Sequence, residues 1–128
     1  MYCIEYHLVW CVKYRRAVLQ DGADESLKTI LRDIAKQNKL EVVSLEVMPD
    51  HVHILIGATP QQTIPDFVKA LKGASARRMF VAHPELKKLL WGGHLWNPSY
   101  FVATVSENTR TQIRQYIEDQ HDTAAKSV

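Results

Sequence analysis

Along the chain, the spacing of apolar residues switches between two and about 3.6, and each switch marks an element. Tyr2 to Lys13 is dense in aromatic and β-branched residues (Tyr2, Ile4, Tyr6, Val9, Trp10, Val12), with apolar side chains on both faces. It reads as a long strand, central in a sheet or buried at a subunit contact. Asp21-Gly22-Ala23-Asp24 is a turn with helix-capping residues. Leu27, Ile30, Leu31, Ile34 and Ala35 then predict an amphipathic helix from about Glu25 to Asn38. From Glu41 to Val47 the pattern alternates, with Val43, Leu45 and Val47 on one face and Ser44 and Glu46 on the other. Pro49-Asp50 makes a tight turn, and His51 to Ala58 returns as the second arm of a hairpin.

Thr63-Ile64-Pro65-Asp66 starts a second helix, with Pro in its first turn. Phe67, Ala70, Leu71 and Ala74 form its expected buried stripe, and Lys69 and Lys72 project from the other side. Gly73-Ala74-Ser75-Ala76 is a run of small residues, which suits either a phosphate approaching the backbone or a helix crossing. His83-Pro84 ends the helix, and Leu86 to Leu90 suits a short extra turn. Trp91 to Pro98 is a Gly- and Trp-rich loop, and Tyr100 to Val105 is a fourth strand. After the polar connector Ser106-Glu107-Asn108, Thr109-Arg110-Thr111-Gln112 fits a capping box for a last helix running to about His121. Residues 123–128 are expected to fray.

The order is βαββαβα. Its first six elements match an α+β, ferredoxin-like antiparallel sheet with two helices on one face. The seventh, an additional C-terminal helix, has no place in that core. The expected organisation is one domain over 1–128, with a core over 1–105 and the surplus helix over 106–122.

Composition narrows the class. With 128 residues, 46% of them hydrophobic and 23% charged, the chain suits one globular domain. No apolar run approaches the ~20 residues of a membrane helix, and no secretory leader is evident, so a cytoplasmic protein is expected. Cys3 and Cys11 on one strand lie about 26 Å apart, too far for a disulfide, and are expected to be free thiols. Net charge is only +2, but basic residues cluster: Lys13, Arg15 and Arg16, then Lys69, Lys72, Arg77 and Arg78. Such clusters suit a phosphate backbone or simply solvated surface.

The candidate chemistry starts at Met48-Pro49-Asp50-His51-Val52-His53. On a strand, His51 and His53 share a face, and Val52, Ile54 and Ile56 face the helices. The histidines are then on the open face, where they suit one divalent ion, or a pair of hydrogen-bonded strand histidines. A third ligand has to come from elsewhere. The last helix offers Gln120, one turn after Tyr116, on the same face as Ile113. Tyr116 equally suits a core or interface position.

Five blocks together resemble a known family: Tyr6-His7-Leu8-Val9-Trp10-Cys11-Val12-Lys13-Tyr14-Arg15-Arg16, Met48 to His53, Phe67 to Gly73, Leu95 to Phe101, and Tyr116 to Gln120. In this order and at this length they look like TnpA, the single-tyrosine HUH transposases of small bacterial and archaeal insertion sequences that move as single-stranded DNA. The resemblance implies that His51, His53 and Gln120 hold a divalent metal, Mg²⁺ or Mn²⁺, and that Tyr116 is the nucleophile. It implies cleavage through a 5′-phosphotyrosine, recognition of subterminal DNA hairpins, and a homodimer whose tyrosine helices can complete the partner's sites. Lys69, Lys72, Arg77 and Arg78 are the candidates for DNA contact, with Tyr14, Arg15 and Trp91 behind them. Many relatives carry glycines where this chain has Ser106-Glu107-Asn108. Two other readings suit the same residues. One is a non-catalytic module binding a nucleic-acid hairpin on the open sheet. The other is a domesticated relative acting on genomic palindromic repeats.

Overall fold

The computed structural model describes residues 3–105 and 109–126. Strand β1 (Ile4–Cys11) leads through a single 3-10 turn (Lys13–Arg15) to helix α1 (Ala23–Gln37). The hairpin β2 (Glu41–Met48) and β3 (His51–Ala58) follows, then α2 (Ile64–Ala82) and the short α3 (Leu86–Leu89). After a second 3-10 turn (Trp91–Gly93) come β4 (Phe101–Thr104) and α4 (Thr109–Lys126). The strands form one antiparallel sheet in the order β2-β3-β1-β4, the ferredoxin-like order the element pattern predicts.

Strand parity sorts the two faces. Leu8, Trp10, Val12, Val52, Ile54 and Ile56 point toward α1 and α2 and pack with Leu27, Leu31, Ile34, Phe67, Leu71 and Met79. Trp10 meets Trp96 edge-on, with ring centroids 5.6 Å apart. The Trp96 indole donates to Ser75 Oγ at 3.1 Å, so the small residues of α2 admit the Trp-rich loop. That loop also extends the sheet. Val12 bridges Trp96, and Asn97 N donates to Cys11 O at 2.9 Å.

The second apolar face of β1 has an internal explanation. Val9 and Cys11 point away from α1 and α2, yet both are fully buried. The chain's own α4 crosses that side of the sheet, against β1, β4 and the Lys13–Arg15 turn. Cys3 is exposed, and both cysteines are free. Among the described residues no helix is long and apolar enough to cross a membrane.

Several local expectations change. A β-bulge between Val42 and Ser44 breaks the alternation of β2. It brings Val42, Leu45 and Val47 to the core and leaves Val43 44% exposed. The buried stripe of α2 is rotated, to Phe67, Val68, Leu71, Ser75 and Met79, with Ala70 and Ala74 half-buried at its edge. No side chain caps α1. Its entry is made by Gly22 at φ 98°, in the left-handed region open to glycine. Helix α4 continues to Lys126, past the end expected near His121. Tyr2 and the 106–108 connector lie outside the described residues, as does the Thr109 side chain of the expected capping box.

Leu71→Ala should lower the unfolding free energy by about 2–5 kcal/mol. Val43→Thr should change it by less than about 0.5 kcal/mol. Urea titration of both variants checks the pair, and a core-sized loss at Val43 would contradict the bulge.

Candidate active site

The site begins at the hairpin turn. Asp50 O accepts from Val12 N and Pro49 O from Leu19 N, both at 2.9 Å, so the turn is tied to the exit of β1. His51 and His53 then emerge on the face opposite α1 and α2, with Cys11 and Val9 as their β1 neighbours. His51 Nδ1 lies 2.8 Å from Asp50 Oδ1, which orients the ring, and among the described residues Nε2 has no hydrogen-bond partner. The other Asp50 oxygen takes an ion pair from Arg15. Burial works against the charge on Asp50, but the hydrogen bonds from His51 and Arg15, with the Arg15 charge, outweigh it and hold the carboxyl below its usual range.

Arg15 has a second task. Its Nη1 donates to the Ile117 carbonyl at 3.0 Å, which hooks α4 over the sheet. The guanidinium reaches both partners because Tyr14 and Arg15 adopt φ of 58° and 50°. Such backbone is uncommon for bulky residues and persists where surrounding bonds hold it. Beside this hook, His53 shares a groove of about 510 Å³ with Ile113, Arg114, Ile117 and Glu118.

His53 also has a neighbour that the sequence did not single out. Its Nε2 is 3.1 Å from His7 Nδ1, with ring centroids 5.4 Å apart. Burial lowers the pKa of both imidazoles, and at His53 the His7 charge adds to it. Neutral rings with a free lone pair are what a metal requires.

Tyr116 sits farther along the same covered face. Its ring lies 6.0 Å from Phe101, and its hydroxyl is 3.1 Å from Ser99 Oγ. Burial pushes the phenol up to about 12, so it is held protonated. Ser99 donates its backbone N–H and its hydroxyl to Asn97 Oδ1, both at 3.1 Å. Lys72 secures this loop from below. Its ammonium donates to the carbonyls of Asn97, Pro98 and Ser99 at 2.7, 3.3 and 3.0 Å. Burial lowers the Lys72 pKa to about 8.

Gln120, one turn beyond Tyr116, has a buried Oε1 with no hydrogen-bond partner among the described residues. Leaving a buried amide oxygen unpaired costs about 1–3 kcal/mol, so an orphan of this kind asks for a reason. Among the described residues no three His, Cys, Asp or Glu side chains gather as a metal cluster. The candidate donors are two imidazoles on β3 and the Gln120 amide on α4, all of types a divalent ion accepts.

The basic candidates divide. Lys69 and Arg77 are exposed, while Arg78 pairs with Asp33 at 2.7 Å. Lys72 and Arg15 are turned inward as described. Tyr14 is 45% exposed beneath the Lys13 ammonium. The Trp91 side chain lies outside the described residues. His7, Asp50 and Ser99 were missed as site residues. Strand parity puts His7 on the open face with Val9 and Cys11, but its meeting with His53 depends on the β1–β3 register.

A double-mutant cycle on Arg15→Ala and Asp50→Ala should give a coupling of about 1–2 kcal/mol by thermal or urea unfolding. That is below a fully buried pair because the two side chains are 16% and 22% exposed. In an alkaline ultraviolet titration, Tyr116→Phe should remove the component that ionises last, near 12. Loss of a component near 10 instead would contradict the burial of Tyr116.

The Transposase IS200 like family model matches residues 1–120. The chain is 71% identical to the ISDra2 transposase TnpA of Deinococcus radiodurans over 122 residues, 95% of this chain and 87% of that protein. It is 29% identical to the transposase for insertion sequence element IS200 of Salmonella typhimurium, over 91% of this chain and 76% of the relative. A crystal structure of a transposase from Deinococcus radiodurans R1 superposes with a TM-score of 0.90 at 69% identity, covering 94% of this chain and 93% of that one. A REP-associated tyrosine transposase solved bound to a REP hairpin shares the fold, with a TM-score of 0.58 at 12% identity over 89% of this chain and 65% of that one. The chain therefore belongs to the IS200-like, TnpA-type family of insertion-sequence transposases.

Proposed function

We propose that the protein cleaves and rejoins single-stranded DNA at insertion-sequence ends by transesterification, with Tyr116 as the nucleophile. The observation that carries this reading is the Gln120 oxygen, unpartnered among the described residues. It lies one turn from Tyr116, on a helix that Arg15 couples to the Asp50–His51 pair. In the reaction the Tyr116 oxygen bonds to phosphorus, the P–O3′ bond breaks, and the phenolic proton is balanced by protonation of the departing 3′-oxygen. The 5′ end stays on the enzyme as a phosphotyrosine, and a later 3′-OH reverses the exchange. One phosphodiester replaces another, so no nucleotide hydrolysis is required.

His51 Nε2, one nitrogen of His53 and Gln120 Oε1 would hold Mg²⁺ or Mn²⁺. When bound, the ion polarises the scissile phosphate and orients it for in-line attack. All three donors are neutral and leave the full charge for phosphate. The remaining residues place and restrain. Asp50 fixes His51, Arg15 fixes Asp50 and α4, the Asn97–Ser99 loop positions the Tyr116 hydroxyl, and burial keeps it a phenol. For attack, that hydroxyl has to lie about 3–3.5 Å from phosphorus and give up its proton.

Hairpin DNA is the proposed partner, with Lys69, Arg77 and Arg78 on the backbone and Tyr14 and Trp91 as stacking surfaces. Lys72 and Arg15 serve instead as internal braces. The proposed assembly is a homodimer, in which exchange of α4 gives composite sites. The proposed setting is cytoplasmic, consistent with two free thiols.

Single-stranded DNA from the flanks of the gene, incubated with the protein and Mn²⁺, should yield a covalent protein–DNA adduct on a denaturing gel. Tyr116→Phe should keep hairpin binding and lose cleavage by at least about a thousandfold. His51→Ala should lose metal-dependent cleavage. Cleavage that survives in the Phe variant would remove Tyr116 from its role, and hairpin binding with no cleavage by the wild type would favour the non-catalytic module.

A further inference from the structure

The two candidate ligands on β3 are held alike. His51 engages Asp50 through Nδ1, and among the described residues its Nε2 has no hydrogen-bond partner. His53 engages His7 through Nε2, and among the described residues its Nδ1 has no hydrogen-bond partner. The His7 contact comes from the sheet itself. Val9 is opposite His53 and His7 is opposite Leu55, so His7 and His53 are diagonal neighbours on one face of an antiparallel pair. Long side chains reach each other across such a diagonal. Both rings are half-buried, and the two central strands of the sheet carry them.

A metal-bound imidazole donates its second N–H to a fixed acceptor, which sets the tautomer and the ring orientation. Asp50 Oδ1 is placed to do this for His51. We propose that His7 does the same for His53: its Nδ1 accepts the His53 Nε2 proton and so presents the His53 Nδ1 lone pair to the divalent ion. His7 is then a positioning residue, and its own Nε2 carries the proton of the neutral ring. The inference rests on the metal reading of His51, His53 and Gln120. It adds a chemical commitment that this reading lacks, namely which nitrogen of His53 binds.

Mn²⁺ binding to the full chain, followed by the electron-paramagnetic-resonance signal of the free ion, tests it without any DNA or turnover. In His7→Leu the acceptor is gone, and affinity should fall by about 10–100-fold. In His7→Asn an amide oxygen is bonded to Cγ where His7 has Nδ1, and affinity should return to within about threefold of wild type. A merely structural role for the ring would not be rescued this way. His51→Ala serves as the reference. If the wild type binds no Mn²⁺, or His51→Ala binds as well as wild type, the metal reading fails and this inference with it. If binding needs His51 but His7→Leu matches or exceeds the wild type, or His7→Asn is as weak as Leu, the role of His7 alone is overturned. Nitrogen-15 spectra of the metal-free wild type give a check that needs no variant. His53 should be protonated on Nε2, and the Nδ1–H tautomer would refute the proposal.

Discussion

The Arg15–Asp50 ion pair is the interaction on which the site depends. Arg15 leaves the end of β1, Asp50 closes the β2–β3 turn, and Ile117 belongs to α4. One guanidinium joins all three, and the same carboxylate orients His51. A partly buried pair of this kind adds little to stability by itself, because desolvation offsets most of the Coulomb gain. Its value is in geometry. It sets the direction of the His51 ring and the height of α4 above the sheet with one set of bonds. The left-handed backbone at Tyr14 and Arg15 is the local strain that this arrangement accepts.

The rest of the molecule supports that arrangement through two differently built faces. The face under α1 and α2 is a dry apolar core that holds the register of β1 against β3. The face under α4 is thinner. Ile113 is buried, while Tyr116, Ile117 and Gln120 are half-buried. Among the described residues, α4 is held by buried Ile113, the Arg15–Ile117 hydrogen bond and the contacts of Tyr116 with Ser99 and Phe101. The Tyr116 phenol rests on Ser99, and Lys72 stiffens that resting place. The lysine's charge thus acts on the protein's own loop, although its position on α2 had suggested DNA.

Much of this was legible in one dimension. Period-two and period-3.6 patterns located the strands and helices, since a strand or helix that buries one face must repeat at its own spacing. Parity put His51 and His53 on one face, and the i, i+4 rule put Tyr116 beside Gln120. Where the pattern misled, a local irregularity intervened. One extra residue at the Val42–Ser44 bulge shifted the phase at the start of β2, so that Val42 and not Val43 joins Leu45 and Val47 at the core, and no alternation count anticipates an insertion that keeps the polarity plausible. The apolar outer face of β1 was legible as a fact but not by cause, because a subunit contact and an internal helix bury the same residues.

What the sequence determined by itself is the set of elements, the faces of His51 and His53 and of most strand residues, and the family to which their motifs belong. These follow from short-range periodicity and from local residue order. What only the tertiary structure decided is who meets whom. His7 reaches His53, Arg15 reaches both Asp50 and Ile117, and Lys72 reaches the Asn97–Ser99 carbonyls. The members of each pair lie dozens of residues apart. They meet because strand register and the crossing of α4 bring them together, and those are set by the packing of the whole core.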